Sequence, residues 1–134
     1  MPVLLNKSAL NLNAAQYLCK EGHFATVCHP AYYSCLQLMK FKVKDKLKIG
    51  YEQQASEISQ FYRGNSHVYL ISKVKEEINR KKGKREADVF IKDIRKLKEL
   101  REESDYSDIQ IDRTTCELVI RIAIDLRTTI NREL

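Results

Sequence analysis

The feature that most constrains the fold is a pair of long amphipathic segments near the end of the chain. In the first, apolar residues recur at spacings of three and four, namely at Ala87, Phe90, Ile91, Ile94, Leu97 and Leu100. The second repeats this pattern with Cys116, Val119, Ile120, Ala123, Ile124 and Ile130. Such spacing places each apolar set on one side of an α-helix. Both segments are therefore predicted to be helices that bury one side against neighbouring elements.

Three further helices are predicted, which makes five in total. The ranges are about 8–21, 23–47, 67–80, 85–104 and 112–132, and residues 52–61 are compatible with an additional short helix. Only four glycines and two prolines occur in 134 residues, which argues against a turn-rich β-sandwich or barrel. Helices joined by short connections are expected to pack antiparallel. The predicted fold is thus all-α, an up-and-down antiparallel bundle of about five helices forming one domain over residues 1–134.

Individual residues predict where these helices begin and end. Gly22 is placed to stop the first helix, whose inward side is expected to consist of Ala14, Tyr17 and Leu18. Pro30 either kinks the second helix or lies in its true first turn, and the apolar side that continues across it favours the kink. Ser66 and Asp112 are the expected N-caps of the helices that follow them.

Composition limits the classes of function. The net charge of +6 and the pI of about 9.1 are compatible with a polyanionic partner without requiring one. No apolar run is long enough to span a bilayer, and the first residues lack the basic leader of a signal peptide, so no membrane association and a cytoplasmic location are expected. The cysteines form no CxxC pair and are predicted to be buried free thiols, and Cys19, His23, Cys28 and His29 fit no common zinc spacing. Neither a metal nor a cofactor is predicted.

Two basic segments are weighed as phosphate contacts. Lysines alternate at positions 40, 42, 44, 46 and 48, and a spacing of two scatters them around a helix, so a solvated surface is favoured. Residues 80–85 carry five cations in a predicted connection, where they could meet phosphates but where a solvated loop is the simpler interpretation. The chain has no Walker A loop, GxGxxG, HExxH or GxSxG motif.

Residues 101–106 (R-E-E-S-D-Y) form the most chemically organised segment. Arg101 is predicted to project from the last turn of a helix, with Asp105 and Tyr106 opening the connection. A bidentate bond between Arg101 and Asp105 would tie off the helix end. The same arginine, with the Tyr106 hydroxyl, could instead bind a phosphate.

Three segments in order resemble the HEPN domains, small helical "higher eukaryotes and prokaryotes nucleotide-binding" proteins. Residues 22–33 resemble the family's G-x-[YF]-x-x-A-x-x-x-A-Y-Y stretch, which ends here in Tyr33. Residues 65–67 resemble the T/S-H element that opens the middle helix, and here end in His67. Residues 100–106 resemble the L-R-x-x-A-D-Y signature of one branch. The candidate ligand-binding residues are therefore Arg101, Asp105, Tyr106, His67 and Tyr33.

The resemblance implies a helical bundle that forms a homodimer and works with a minimal nucleotidyltransferase in a toxin–antitoxin system. Active members are metal-independent ribonucleases with an Arg-x(4–6)-His motif, in which arginine holds the phosphate and histidine is the general acid or base. Here Asp105 and Tyr106 occupy the histidine position, and an exposed aspartate is charged at pH 7 and cannot donate a proton. The usual ribonuclease activity is therefore not expected.

Three functions remain open from the sequence. The first is a nucleotide- or RNA-phosphate-binding protein that acts with a nucleotidyltransferase and is not itself an enzyme. The second is an active ribonuclease toxin with Arg101 and Tyr106 as catalytic candidates and with His67 contributed either across the bundle or across a dimer. The third is a helical interaction module in which Arg101 and Asp105 are purely structural.

Overall fold

The computed structural model describes residues 2–106 and 108–134, and these residues form helices without strands. Six α-helices follow one another: α1 (Val3–Lys20), α2 (Cys28–Asp45), α3 (Tyr51–Phe61), α4 (Ser66–Lys82), α5 (Lys84–Tyr106) and α6 (Arg113–Glu133), with a 3-10 turn (Phe24–Thr26) before α2. The predicted all-α bundle is confirmed. It has six helices rather than about five, because residues 51–61 form a complete helix.

Helix α2 is the centre of the bundle. It packs against α1, α4, α5 and α6, and no side chain of its inner face is accessible to solvent, as for Ala31, Tyr32, Cys35, Leu38 and Met39. The predicted apolar sides of α5 and α6 pack on it and on each other. Burial of this continuous apolar surface is the main source of stability. One residue of the predicted apolar side of α6 is placed wrongly, because Ile124 is 39% exposed.

Helix α1 departs most from its prediction. It begins at Val3, five residues before the predicted start, and Ala14 and Tyr17 face solvent. Its buried residues are instead Ser8, Ala15 and Cys19. The inward side includes a serine because the Ser8 hydroxyl donates a 2.6 Å hydrogen bond to the Ser34 carbonyl of α2. An apolar pattern cannot reveal a helix face whose contact is polar.

The second helix corrects the preferred interpretation of Pro30. Helix α2 starts at Cys28, so Pro30 lies in its first turn and the predicted kink does not occur. The first backbone bond of the helix runs from the Ala31 amide to the Val27 carbonyl. Proline is tolerated there because an amide in the first turn has no intrahelical acceptor. The segment 24–26 before it forms the separate 3-10 turn.

The caps decide the remaining helix boundaries. Asp112 caps α6 as predicted, since its carboxylate accepts a 2.8 Å bond from the Thr115 amide. Asn65, rather than Ser66, caps α4, because the Asn65 side-chain oxygen accepts from the Val68 amide at 3.1 Å. Gly22 follows α1 with a φ of 81°, a conformation that favours glycine and ends the helix.

Candidate functional site

Arg101 lies on α5 at a place where this helix packs against the first turns of α2. Helix α5 continues to Tyr106, so Arg101 lies more than one turn before the helix end and not in the last turn as predicted. Its guanidinium carbon is 5.2 Å from the ring centre of Tyr32 and 5.9 Å from that of Tyr33. The side chain is only 12% exposed. Two aromatic faces therefore hold the guanidinium in place through cation–π attraction.

The hydrogen bonds of Arg101 are incomplete. Its Nε atom is buried and has no hydrogen-bond partner among the described residues. Arg101 Nη1 is 3.5 Å from Asp105 Oδ2, and Nη2 is 3.8 Å from Glu102 Oε1. Arg101 and Asp105 thus form the expected ion pair, but these distances exceed those of the bidentate arginine–carboxylate bond considered for the helix end. The guanidinium therefore has one donor, at Nε, that no described residue accepts from.

His67 reaches the same place from the first turn of α4. Its Nδ1 atom is hydrogen-bonded to the Tyr32 hydroxyl at 3.1 Å, and its ring centre is 5.7 Å from that of Tyr33. Burial lowers the pKa of the His67 imidazole, and the positive charges of Lys98 and Arg101 lower it further. The imidazole is therefore neutral at pH 7.

The exposed edge of the site is aromatic. The His29 ring stacks on the Tyr33 ring with centres 4.5 Å apart and planes 28° apart, and His29 Nδ1 lies 3.6 Å from Asp105 Oδ2. Burial raises the pKa of the Tyr32 phenol well above its usual range, although the charge of Arg101 opposes this, so Tyr32 remains protonated. We call the six residues Arg101, His67, Tyr32, Tyr33, His29 and Asp105 the Arg101 corner.

The structure brings together four of the five predicted ligand-binding residues. Tyr106 is the fifth, and its side chain is 81% exposed at the end of α5, outside the contacts that build the Arg101 corner. Sequence reasoning missed Tyr32 and His29. Both lie within one turn of Tyr33 on α2, so a search for aromatic residues beside the predicted Tyr33 would have found them.

The basic segment at residues 80–85 shows the properties of a structural connection. Arg80 pairs with Glu77, Lys84 pairs with Asp88 at 2.8 Å, and the Lys81 amine donates to the Glu133 carbonyl at 2.7 Å. Its cations are thus largely occupied within the protein.

Two further findings concern potential metal ligands and helices that could cross a membrane. The four cysteines are buried free thiols, and no group of three or more potential metal ligands occurs in residues 2–106 and 108–134. Within the same ranges, no helix has both the length and the apolar character needed to cross a bilayer.

Comparison with protein-family models, with curated proteins and with solved structures finds no match to this chain. The likeness to HEPN domains therefore rests on the three segments described above.

Proposed function

We propose that the protein binds the phosphate group of a nucleotide or of RNA at the Arg101 corner. The observation that carries this proposal is the buried Arg101 Nε atom, to which no residue in the described ranges offers an acceptor although the guanidinium is fixed against two tyrosines. A buried donor without an acceptor is costly and calls for a specific explanation, and an acceptor supplied by a bound anion is the explanation proposed here. Phosphate oxygens match the planar donors of arginine in both geometry and charge.

The neighbours of Arg101 suit a phosphate that replaces the weak carboxylate contact. Lys98 lies one turn earlier on α5 and adds a second cation, whose charge reaches His67. Asp105 already lies as close to His29 as to Arg101, so its carboxylate can turn to His29 when a phosphate approaches. The stacked rings of His29 and Tyr33 provide a flat surface for a base.

The test measures the affinity of adenosine 5′-monophosphate for the unmodified protein and for the variants Arg101→Gln and Arg95→Gln by titration. Arg95 is an exposed arginine of the same helix, so its substitution changes the net charge equally without touching the Arg101 corner. Hydrogen bonds to charged groups contribute about 1.5 to 3 kcal/mol, so Arg101→Gln should weaken binding about tenfold to hundredfold. Equal affinities of the two variants would contradict the proposal.

The partner and the setting follow from the resemblance. We propose that the protein forms a homodimer and acts with a minimal nucleotidyltransferase in a toxin–antitoxin-type system, in the cytoplasm. Buried free thiols fit a reducing compartment. A nucleotidyltransferase gene beside this one, and co-purification of the two products, would support this role, and their failure to associate would count against it.

A metal-independent ribonuclease is the second candidate, and the position of His67 favours it. His67 of α4 lies beside the same two tyrosines as Arg101, and in this proposal it takes the role of the histidine that is missing after Arg101 in the sequence. A neutral imidazole at pH 7 can act as a general base while Arg101 holds the scissile phosphate. RNA cleavage in the presence of EDTA that is lost in both His67→Gln and Arg101→Gln, but kept in the exposed His23→Gln, would establish this activity. Absence of cleavage by the unmodified protein would leave binding alone.

A further inference from the structure

A second basic site lies at the other end of α2. A cavity of about 810 Å³ opens between the start of α1, the end of α2 and the start of α3. We call it the lysine cleft, and its lining includes four lysines and two aromatic rings, namely Lys7, Lys40, Lys44, Lys48, Phe41 and Tyr51. Lys40 Nζ and Lys44 Nζ lie 5.5 Å and 4.6 Å from the centre of the Tyr51 ring.

The lysine cleft is strongly positive. Among the described residues of its lining, Asp45 alone is acidic, and its carboxylate lies 3.7 Å from Lys46 Nζ. The scattering of lysines expected from their spacing of two is only half correct. Lys40 and Lys44, four residues apart, share one face of α2 and meet at Tyr51.

A smaller cavity shares lining residues with the lysine cleft and with the Arg101 corner. Its volume is about 250 Å³, and its lining includes Leu4 and Lys40 of the lysine cleft as well as Tyr33 and His67 of the Arg101 corner. Tyr33, Gln37, Lys40 and Lys44 are spaced by four, three and four residues and thus follow one face of α2. At 1.5 Å per residue this face is about 17 Å long from Tyr33 to Lys44. That is the axial length of about five stacked nucleotides of one strand.

Gln54 lines this middle cavity, and its two side-chain polar atoms differ in their hydrogen bonds. Its Nε2 atom donates to the carbonyls of Lys40 and Ile49, at 3.3 Å and 2.8 Å, and these two acceptors fix the orientation of the amide. The Gln54 Oε1 atom is consequently a buried acceptor that receives no hydrogen bond from the described residues, in a side chain that is 1% exposed. The amino or imino group of a base could supply the missing donor.

We infer that this face of α2 is a groove for a single-stranded oligonucleotide. One phosphate binds at the Arg101 corner, a base enters the Gln54 cavity, and the following phosphates lie on the lysine cleft. This inference rests on the proposed phosphate site and extends it, because it defines the ligand as a strand of several nucleotides rather than one nucleotide.

The experiment measures the affinity for adenylate ribo-oligomers of two and six residues and for adenosine 5′-monophosphate, by anisotropy or by calorimetry. The double variant Lys7→Ala/Lys44→Ala removes two cations of the lysine cleft, and Lys92→Ala/Lys96→Ala removes two exposed cations of α5 as the matched control. The hexamer should bind more tightly than the dimer. The lysine-cleft variant should lose about tenfold for the hexamer, with a salt slope lower by about 1.4 for two phosphate contacts of a single strand.

The mononucleotide separates the two claims. Its affinity should be unchanged in the lysine-cleft variant and reduced in Arg101→Gln. If the mononucleotide binds through Arg101 while dimer and hexamer bind equally, or while the lysine-cleft variant and its control behave alike, the groove is refuted and the phosphate site stands. If Arg101→Gln affects none of the three ligands, or if none of them binds, both claims fail.

Discussion

Replacing Arg101 by methionine should leave the stability of the fold almost unchanged. Methionine keeps a long apolar stem against Tyr32 and Tyr33 and removes the guanidinium. This substitution distinguishes a ligand-binding arginine from a structural one. Removing an arginine that holds two helices together would lower the free energy of unfolding, whereas removing one that only binds a ligand would not. The expected free-energy change can be worked out from the contacts of this side chain.

Replacing Arg101 by methionine removes two contributions that stabilise the folded state and one that destabilises it. Cation–π attraction to the tyrosines, which is largely shielded from water, is worth about 1 to 2 kcal/mol. The ion pairs with Asp105 and Glu102 are long, and their acidic partners are 28% and 50% exposed, so after screening they add about 0 to 1 kcal/mol. Against this, the variant removes the buried Nε donor that has no partner, which costs the native protein about 1 to 3 kcal/mol. The losses and the gain are of similar size, so the net change should be centred near zero and should not exceed about 2 kcal/mol.

Urea unfolding followed by the helical circular dichroism signal measures this change directly. The midpoint of Arg101→Met should remain close to that of the unmodified protein, with an unchanged slope. A loss of more than about 2 kcal/mol would refute the reasoning, because it would exceed what surface ion pairs supply and would favour the helical interaction module. A stable variant that no longer binds nucleotide would identify Arg101 as a ligand residue.

Three further predictions test the N-cap of α4, the buried hydrogen bonds of Arg127 and the pH dependence of stability. Asn65→Ala should cost about 1 kcal/mol in urea unfolding and Ser66→Ala much less, since Asn65 carries the cap. Arg127→Met should cost about 1 to 3 kcal/mol, because the Arg127 guanidinium donates to the buried Ser34 hydroxyl at 3.0 Å and to its carbonyl. His67→Gln should reduce the loss of stability between pH 7 and pH 5. The pKa of His67 is lower in the folded state, so the unfolded chain takes up the proton first, and stability present above about pH 6.5 is lost as the pH falls through the folded value.

Matched substitutions distinguish these effects from unspecific ones. Arg121 is an exposed arginine of α6, and Arg121→Met should leave the midpoint unchanged. His23→Gln removes an exposed histidine and should keep the pH dependence of the unmodified protein. If Asn65→Ala and Ser66→Ala lower the stability equally, Asn65 is not the N-cap of α4. If the pH dependence of stability is unaltered in His67→Gln, groups other than His67 cause it.

The sequence predicts the bundle well because periodic burial dominates helical folds. The apolar sides of α5 and α6 follow directly from the spacing of three and four residues, and the Asp112 cap from its position before α6. The prediction is wrong where polar contacts or backbone rules compete with that pattern. The inward face of α1 includes the polar Ser8, which the apolar pattern does not identify. Pro30 lies in the first turn of α2, although the apolar side continues across it and suggested a longer helix.

The site is predictable only within single helices. Arg101 and Asp105 are neighbours at a spacing of four on α5, so their proximity follows from the sequence. The approach of His67 to Arg101 does not, because it depends on how α4 and α5 both pack on α2. The lysine cleft likewise needs α1 and α3, which bring Lys7 and Tyr51 to the end of α2.

The central claim is that Arg101 binds phosphate with its unpartnered donor. The most direct measurement follows the side-chain Nε–H resonance of Arg101 by ¹⁵N–¹H NMR during a titration with adenosine 5′-monophosphate. A phosphate oxygen that accepts from this donor should move the resonance and slow its exchange with water, together with a shift of the His67 ring signals. Saturable binding with both signals unmoved would contradict the account.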